Sequence, residues 1–180
     1  MRKKDLKGDR DDELLEIVNE NGEVMGHALR SDIHGNPSLI HKVVHVLVLN
    51  SKGKLLLQKR SPKKDVAPGR WDTSVGGHVG PGEDLLSSAK REMEEELGIR
   101  GSEPVYLYSY IHRNSYETEL VTTFRCFFDG EIIFNQDEIE NVRFWSIEEI
   151  KKIMGTNILS DNFEQEFHYL YGLYRLQALT

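Results

Sequence analysis

Cysteine is nearly absent from this chain of 180 residues: Cys126 is the only one. A lone thiol forms no internal disulfide and no thiolate metal cluster, so stability must come from a packed core. Long apolar runs are missing too, since none approaches the roughly 18 residues of a membrane span. The first residues, Met1-Arg2-Lys3-Lys4-Asp5, are charged with no apolar stretch behind them, which argues against a secretory signal. A basic surplus is also lacking: 23 Lys and Arg against 30 Asp and Glu leave a formal charge of −7. A primary nucleic-acid partner normally demands the opposite balance on one face. No repeat or low-complexity segment interrupts the chain. These absences point to a soluble cytoplasmic protein of one domain.

What is present alternates strand and helix signals. Residues 1–13 are crowded with charge and read as a flexible segment, leaving 14–180 as a single domain. Leu14–Val18 reads as a strand closed by Asn19-Glu20-Asn21-Gly22, and His27–Asn36 as loop or short helix. The β-branched run His41–Asn50, the turn Ser51-Lys52-Gly53 and Lys54–Lys59 make a hairpin. Thr73–Val79 is short and glycine-rich, and Asp84–Leu97 is helical in pattern with Gly98 as its stop. Val105–His112, Glu119–Phe128 and Val142–Trp145 read as further strands, and Ile147–Met154 as a short helix. Asp161-x-x-Glu164 reads as a capping box for a last helix with Phe163, Phe167, Leu170 and Tyr174 on one face. This order is α+β, without the strict alternation of a doubly wound sheet.

The informative segment is Gly77–Ile99, GHVGPGEDLLSSAKREMEEELGI. Glu92, Glu95 and Glu96 stand at i, i+3 and i+4, so they share one helix face and repel one another. A charge run is usually a solvated face. Here Leu86, Ala89, Met93 and Leu97 make a core-facing stripe beside the acids, and Arg91 lies one turn before Glu95. Clustered hard oxygens at the edge of a core call for Mg²⁺ or Mn²⁺. The glycines before the helix allow a close backbone path, and the helix N-terminus favours an anion. Together these suggest cleavage or transfer at a diphosphate.

The same segment resembles the signature of the Nudix hydrolase superfamily, G-x5-E-x7-R-E-U-x-E-E-x-G-U with U aliphatic. It supplies Gly77, Glu83, Arg91-Glu92-Met93, Glu95-Glu96, Gly98 and Ile99 at every fixed position. The resemblance implies a mixed β-sheet sandwiched between helices. It implies metal binding by Glu92, Glu95 and Glu96, with the Gly77 carbonyl a further ligand, and a structural pairing of Glu83 with Arg91. The implied activity is metal-dependent hydrolysis of a nucleoside diphosphate derivative.

A second resemblance spans roughly residues 14 to 150. His34 and His41, Lys59-Arg60, Lys63-Lys64, Pro68-Gly69-x-Trp71, Ser74-Val75-Gly76-Gly77-His78 and Glu117-Thr118-Glu119 follow an order similar to type I isopentenyl-diphosphate isomerase. That enzyme holds a metal with three histidines and two glutamates, here His34, His41, His78, Glu117 and Glu119. It also needs a cysteine immediately before its Gly-His, where this chain has Gly76. The departure removes the central proton carrier, so within the isomerase-like branch the chain resembles a member retained for diphosphate hydrolysis. An isomerase, or a non-catalytic nucleotide-binding module, is the alternative.

The base that activates water is sought among Glu96, Glu92 and Glu119, with Glu138 a competitor to Glu119. Arg60, Lys64 and His78 are the candidate phosphate contacts; a solvated basic loop is the alternative for the first two. His45 and Trp71 read as packing, as do Tyr108, Tyr110 and Phe127. The expected partner is a small diphosphate, and a homodimer is a candidate assembly because dimers are common for the fold.

Overall fold

In the computed structural model, residues 11–177 are described, with side chains through 173. The expectations for residues 1–10 and for the side chain of Tyr174 lie outside them. The first strands are β1 (Leu14–Val18) and β2 (Val24–Leu29), followed by the single turn α1 (Arg30–Ile33). Then come β3 (Ile40–Leu49), β4 (Leu55–Arg60), the two-residue β5 (Trp71–Asp72), β6 (Val75–His78) and α2 (Leu85–Leu97). The chain continues through β7 (Val105–Arg113), β8 (Thr118–Phe127), β9 (Ile139–Trp145), α3 (Ile147–Ile153) and α4 (Asp161–Gln177).

β3 is the spine. One edge pairs in parallel with β8 from Ile40↔Thr118 to Leu49↔Phe127, and β7 extends the sheet antiparallel to β8. Its other edge is shared in turn by β1 at Ile40 and His41, by β6 from Val43 to Val46, and by β4 at Leu49. β9 pairs antiparallel with β4. A strand covered on both faces needs apolar side chains on both, which is why β3 reads as a nearly continuous hydrophobic run. Val44, Val46 and Val48 pack with Ala89, Met93 and Leu97 of α2. Leu47 packs on the other face with Ile150 of α3 and with Phe163 and Phe167 of α4. The result is a mixed sheet between helices, as the α+β reading required.

Several local expectations shift. β2 escapes the sequence pattern because it is an edge strand whose residues are exposed or half-exposed, so no alternation marks it. Leu86 is exposed and Leu85 packs on the core instead, which moves the stripe of α2 to Leu85, Ala89, Met93 and Leu97. The cap of α4 is Ser160 and not Asp161. The Ser160 hydroxyl accepts from Phe163 N at 3.0 Å, while Asp161 pairs with Arg70 and Glu164 accepts from Gly155 N. Phe127, expected to pack, is 62 % exposed. The stop at Gly98 holds: its φ is 67°, and Gly98 N and Ile99 N return to Glu94 O and Met93 O. Among the described residues, no helix is long and apolar enough to cross a membrane.

Candidate active site

The site is built where β6 runs beneath α2. Ideal Cβ geometry at Gly77 would stand 2.1 Å from Glu92 Cδ, so only glycine leaves room for that carboxylate. Glu92 and Glu96, one turn apart, point inward, whereas Glu95 is 41 % exposed at its side chain. Glu96 accepts from Gln58 Nε2 at 2.9 Å and from Gly76 N at 3.2 Å. Burial pushes the Glu92 carboxyl up to about 7, with Arg91 opposing and Glu95 and Glu138 adding to the rise. Burial likewise raises Glu96 well above the usual carboxylate range, with Glu92 and Glu138 reinforcing it. Two inward carboxylates whose ionisation burial opposes are a fit for a divalent cation, whose charge would favour it.

Arg91 fixes the loop to the helix. Its Nε and Nη2 each lie 2.9 Å from an oxygen of Glu83, a bidentate pair, and Nη2 also donates to His78 O at 3.1 Å. A further nitrogen reaches Glu92 and Glu95. The Arg91 guanidinium holds Glu83 down at about 2. Glu83 accepts in addition from Gly80 N at 3.0 Å, which closes the loop.

The histidines form a second cluster. The rings of His34, His41 and His78 have centroids 5.1 to 5.5 Å apart. Ligand atoms of all three lie within 4.8 Å of one another, and so do those of His41, Glu117 and Glu119. His34 Nε2 is 3.5 Å from Glu117, and His41 Nε2 is 4.0 Å from Glu119. His41 is wholly buried, and neither ring nitrogen has a hydrogen-bond partner among the described residues. Burial, then the neighbouring His78 and His34, hold its pKa well below the ordinary value. Burial and then Glu117 raise Glu119 to about 8, and Glu117 is raised by burial as well. A buried imidazole at His41 with unpartnered ring nitrogens, beside His34, His78 and two carboxylates, is a donor set suited to a divalent metal.

The structure therefore divides the sequence candidates. Glu138, not Glu119, faces the carboxylates of α2: it bears on the ionisation of both Glu92 and Glu96, and pairs with Lys64 at 3.4 Å. Arg60 lines the same cavity but is held by Asp72 at 3.2 Å and by Val66 O. Trp71 meets Trp145 edge-on at 5.2 Å in the core, and Cys126 is buried against the α2 layer with its thiol pushed up to about 11 by burial. Glu92, Glu95, Glu96, Glu138, Arg60, Lys64, Arg91, His34, His78, Glu117 and Glu119 line one cavity of about 790 Å³, whereas Glu83, His41, Trp71, Trp145 and Cys126 do not.

Sequence reasoning missed the groups that arrive from afar. Glu13, assigned to the flexible segment, lies 3.0 Å from His78, and its carbonyl accepts from Arg30 N. α4 contributes Asn162, Gln165 and Glu166. Asn162 Nδ2 donates to Glu119 at 2.7 Å, Gln165 Oε1 is 2.8 Å from His112, and Glu166 is 3.1 Å from His45. Their spacing of i, i+3 and i+4 was a readable polar face beside the Phe163 and Phe167 stripe. His45, taken as packing, borders the cavity.

Comparison with known proteins adds four findings. Residues 39–166 match the NUDIX domain family. The chain is 35 % identical over 138 residues to the uncharacterized Nudix hydrolase YfcD of Escherichia coli (strain K12), covering 77 % of this chain and 76 % of that one. It is 30 % identical over 151 residues to isopentenyl-diphosphate Delta-isomerase 1 of Photorhabdus laumondii, covering 81 % and 86 %. Among solved structures it is similar to DR0079 from Deinococcus radiodurans, with a TM-score of 0.76 and 27 % identity over 87 % of this chain and 98 % of that one.

Proposed function

The chain belongs to the Nudix hydrolase family, and from that premise we propose that it hydrolyses the diphosphate linkage of a nucleoside diphosphate derivative with Mg²⁺ or Mn²⁺. The observation that carries the reading is the pair Glu92 and Glu96, turned inward over a glycine that no other residue could replace without displacing Glu92. Glu92, Glu95 and Glu96 would hold the ions, with the Gly77 carbonyl as a further ligand. Bound there, the metal supplies neutralisation of phosphoryl charge and an acidified water. Glu96 accepts the proton of the attacking water, with Glu92 the next candidate. Glu138, facing both, holds Lys64 toward the cavity. Arg60 and Lys64 offset charge on the departing phosphate. Glu83 and Arg91 keep loop and helix in register and take no proton.

A second cation at His34, His41, His78, Glu117 and Glu119 is supported by the orphaned nitrogens of buried His41. That cluster and the isomerase relative favour isomerisation of isopentenyl diphosphate as the alternative. Against it stands Gly76, whose missing Cβ leaves no thiol to carry the proton. A panel of nucleoside diphosphates, sugar nucleotides, dinucleotides and prenyl diphosphates with Mg²⁺, read by product identification, tests both. Release of a nucleoside monophosphate or of phosphate, abolished in Glu96→Gln, is the expected result. Dimethylallyl diphosphate as sole product would overturn it.

A further inference from the structure

The proposed hydrolysis leaves one built polar group of the cavity unused. His45 projects from β3 on the face covered by α4 and is 5 % exposed. Its Nδ1 lies 3.1 Å from Glu166 Oε2, and Glu166, wholly buried, also accepts from Thr123 Oγ1 at 2.7 Å. Burial favours the neutral ring of His45, but the charge and hydrogen bond of Glu166, with Asp72 on β5 and Glu119 on β8, hold it up at about 9. Protonated beside that carboxylate, the ring presents two N–H donors. Glu166 accepts the hydrogen bond from Nδ1–H, and no described residue accepts from Nε2.

Gly76 explains where Nε2 looks. An ideal Cβ there would stand 3.2 Å from His45 Cδ2 and 3.4 Å from Nε2, so any larger residue would press on that edge of the ring. The amide of the same glycine donates to Glu96 at 3.2 Å. His45 and the carboxylate of Glu96 therefore flank one glycine on the cavity floor. Arg60 and Lys64 are already engaged by Asp72 and Glu138, whereas Nε2–H still needs an acceptor. A charged donor is best satisfied by an anionic oxygen.

We infer that His45 is a substrate-contacting residue, its Nε2–H donating to a phosphoryl oxygen of the diphosphate held at the α2 carboxylates, with Glu166 the buried anion that orients the ring. This rests on the reading of the cavity as a diphosphate site. The test uses the full chain with ¹⁵N-labelled histidine and Mg²⁺, titrated with inorganic pyrophosphate. The Nε2 resonance of His45, identified by its loss in His45→Gln, should move in step with saturation and its proton should become protected from exchange. The resonance of exposed His168 should stay still. Calorimetry should show His45→Gln weakening pyrophosphate about tenfold or more, the worth of a hydrogen bond to a charged group. Mn²⁺ affinity should be unchanged.

A silent His45 ring in the wild type while other signals saturate would overturn the inference. So would wild-type pyrophosphate affinity in folded His45→Gln. An equal response to inorganic phosphate without Mg²⁺ would also overturn it, because the ring would then bind a free anion independently of the carboxylates. If the wild type neither binds pyrophosphate nor hydrolyses any diphosphate, the diphosphate reading itself has failed, and this inference falls with it.

Discussion

Replacing Gly77 by alanine is the sharpest available perturbation of the proposed metal site. The backbone of Gly77 lies outside the left-handed region, so alanine suffers no conformational strain and the effect is purely one of space. The new methyl would stand 2.6 Å from Glu92 Cγ and 2.1 Å from its Cδ, the latter more than an ångström short of the 3.4 Å at which ordinary contact begins. Glu92 is a flexible side chain at its far end, so it can swing aside, and the fold should survive. The cost should be about 1–3 kcal/mol, typical of overpacking, or a fall in Tm of a few degrees. The site should not survive. A swing of that size takes a ligand out of reach of a cation, and misplacement by about 1 Å costs on the order of a hundredfold in rate. The assay is Mn²⁺ binding by calorimetry beside diphosphate hydrolysis and a melting curve. Gly26→Ala is the control, because a Cβ there meets nothing within 4 Å. Gly77→Ala protein that melts normally, binds Mn²⁺ at wild-type affinity and turns over at the wild-type rate would refute the reasoning.

Metal-free protein should lose stability as pH rises. Glu92 is raised from 4.5 to about 7 and Glu119 to about 8, so their contributions are complete below the unfolded value and vanish as pH climbs through the folded ones. His45, raised from 6.5 to about 9, acts in the same direction, and Glu92 alone accounts for at most about 3 kcal/mol. Thermal unfolding in chelator should therefore show a falling Tm from pH 5 to 9, and added Mg²⁺ should reverse it; a flat or rising metal-free profile would contradict this. Arg91→Lys keeps the charge but loses the bidentate pair with Glu83 and the bond to His78 O, and should cost about 1–3 kcal/mol by denaturant unfolding. Glu83→Gln should remove a contribution that the wild type holds above pH 4.5 and loses as pH falls through about 2, because Glu83 is depressed. Cys126, 3 % exposed and raised to about 11, should resist thiol reagents in native protein and react only on unfolding; rapid native labelling would show the core placement to be wrong.

The sequence by itself determined the elements whose signals are local. A β-branched run buried on both faces, an Asn-x-x-Gly turn and a helix stopped by Gly98 are written in adjacent residues, so β3, β4 and α2 were legible. The spacing of Glu92, Glu95 and Glu96 was legible for the same reason, and so was the pairing of Glu83 with Arg91 once the motif was recognised. Which of the acids faces the site was not legible: i, i+3 and i+4 place three carboxylates on one side of a helix, but the packing of β6 under α2 turns Glu92 and Glu96 inward and leaves Glu95 in solvent. Tertiary structure also decided the partners. The parallel pairing of β3 with β8 sets His41 opposite Glu119, across 78 residues of chain. The docking of α4 brings Glu166 to His45 over a separation of 121 residues. No periodicity encodes such pairings, because they depend on how sheet and helix meet. That meeting set a histidine read as packing against Glu166 at the floor of the cavity.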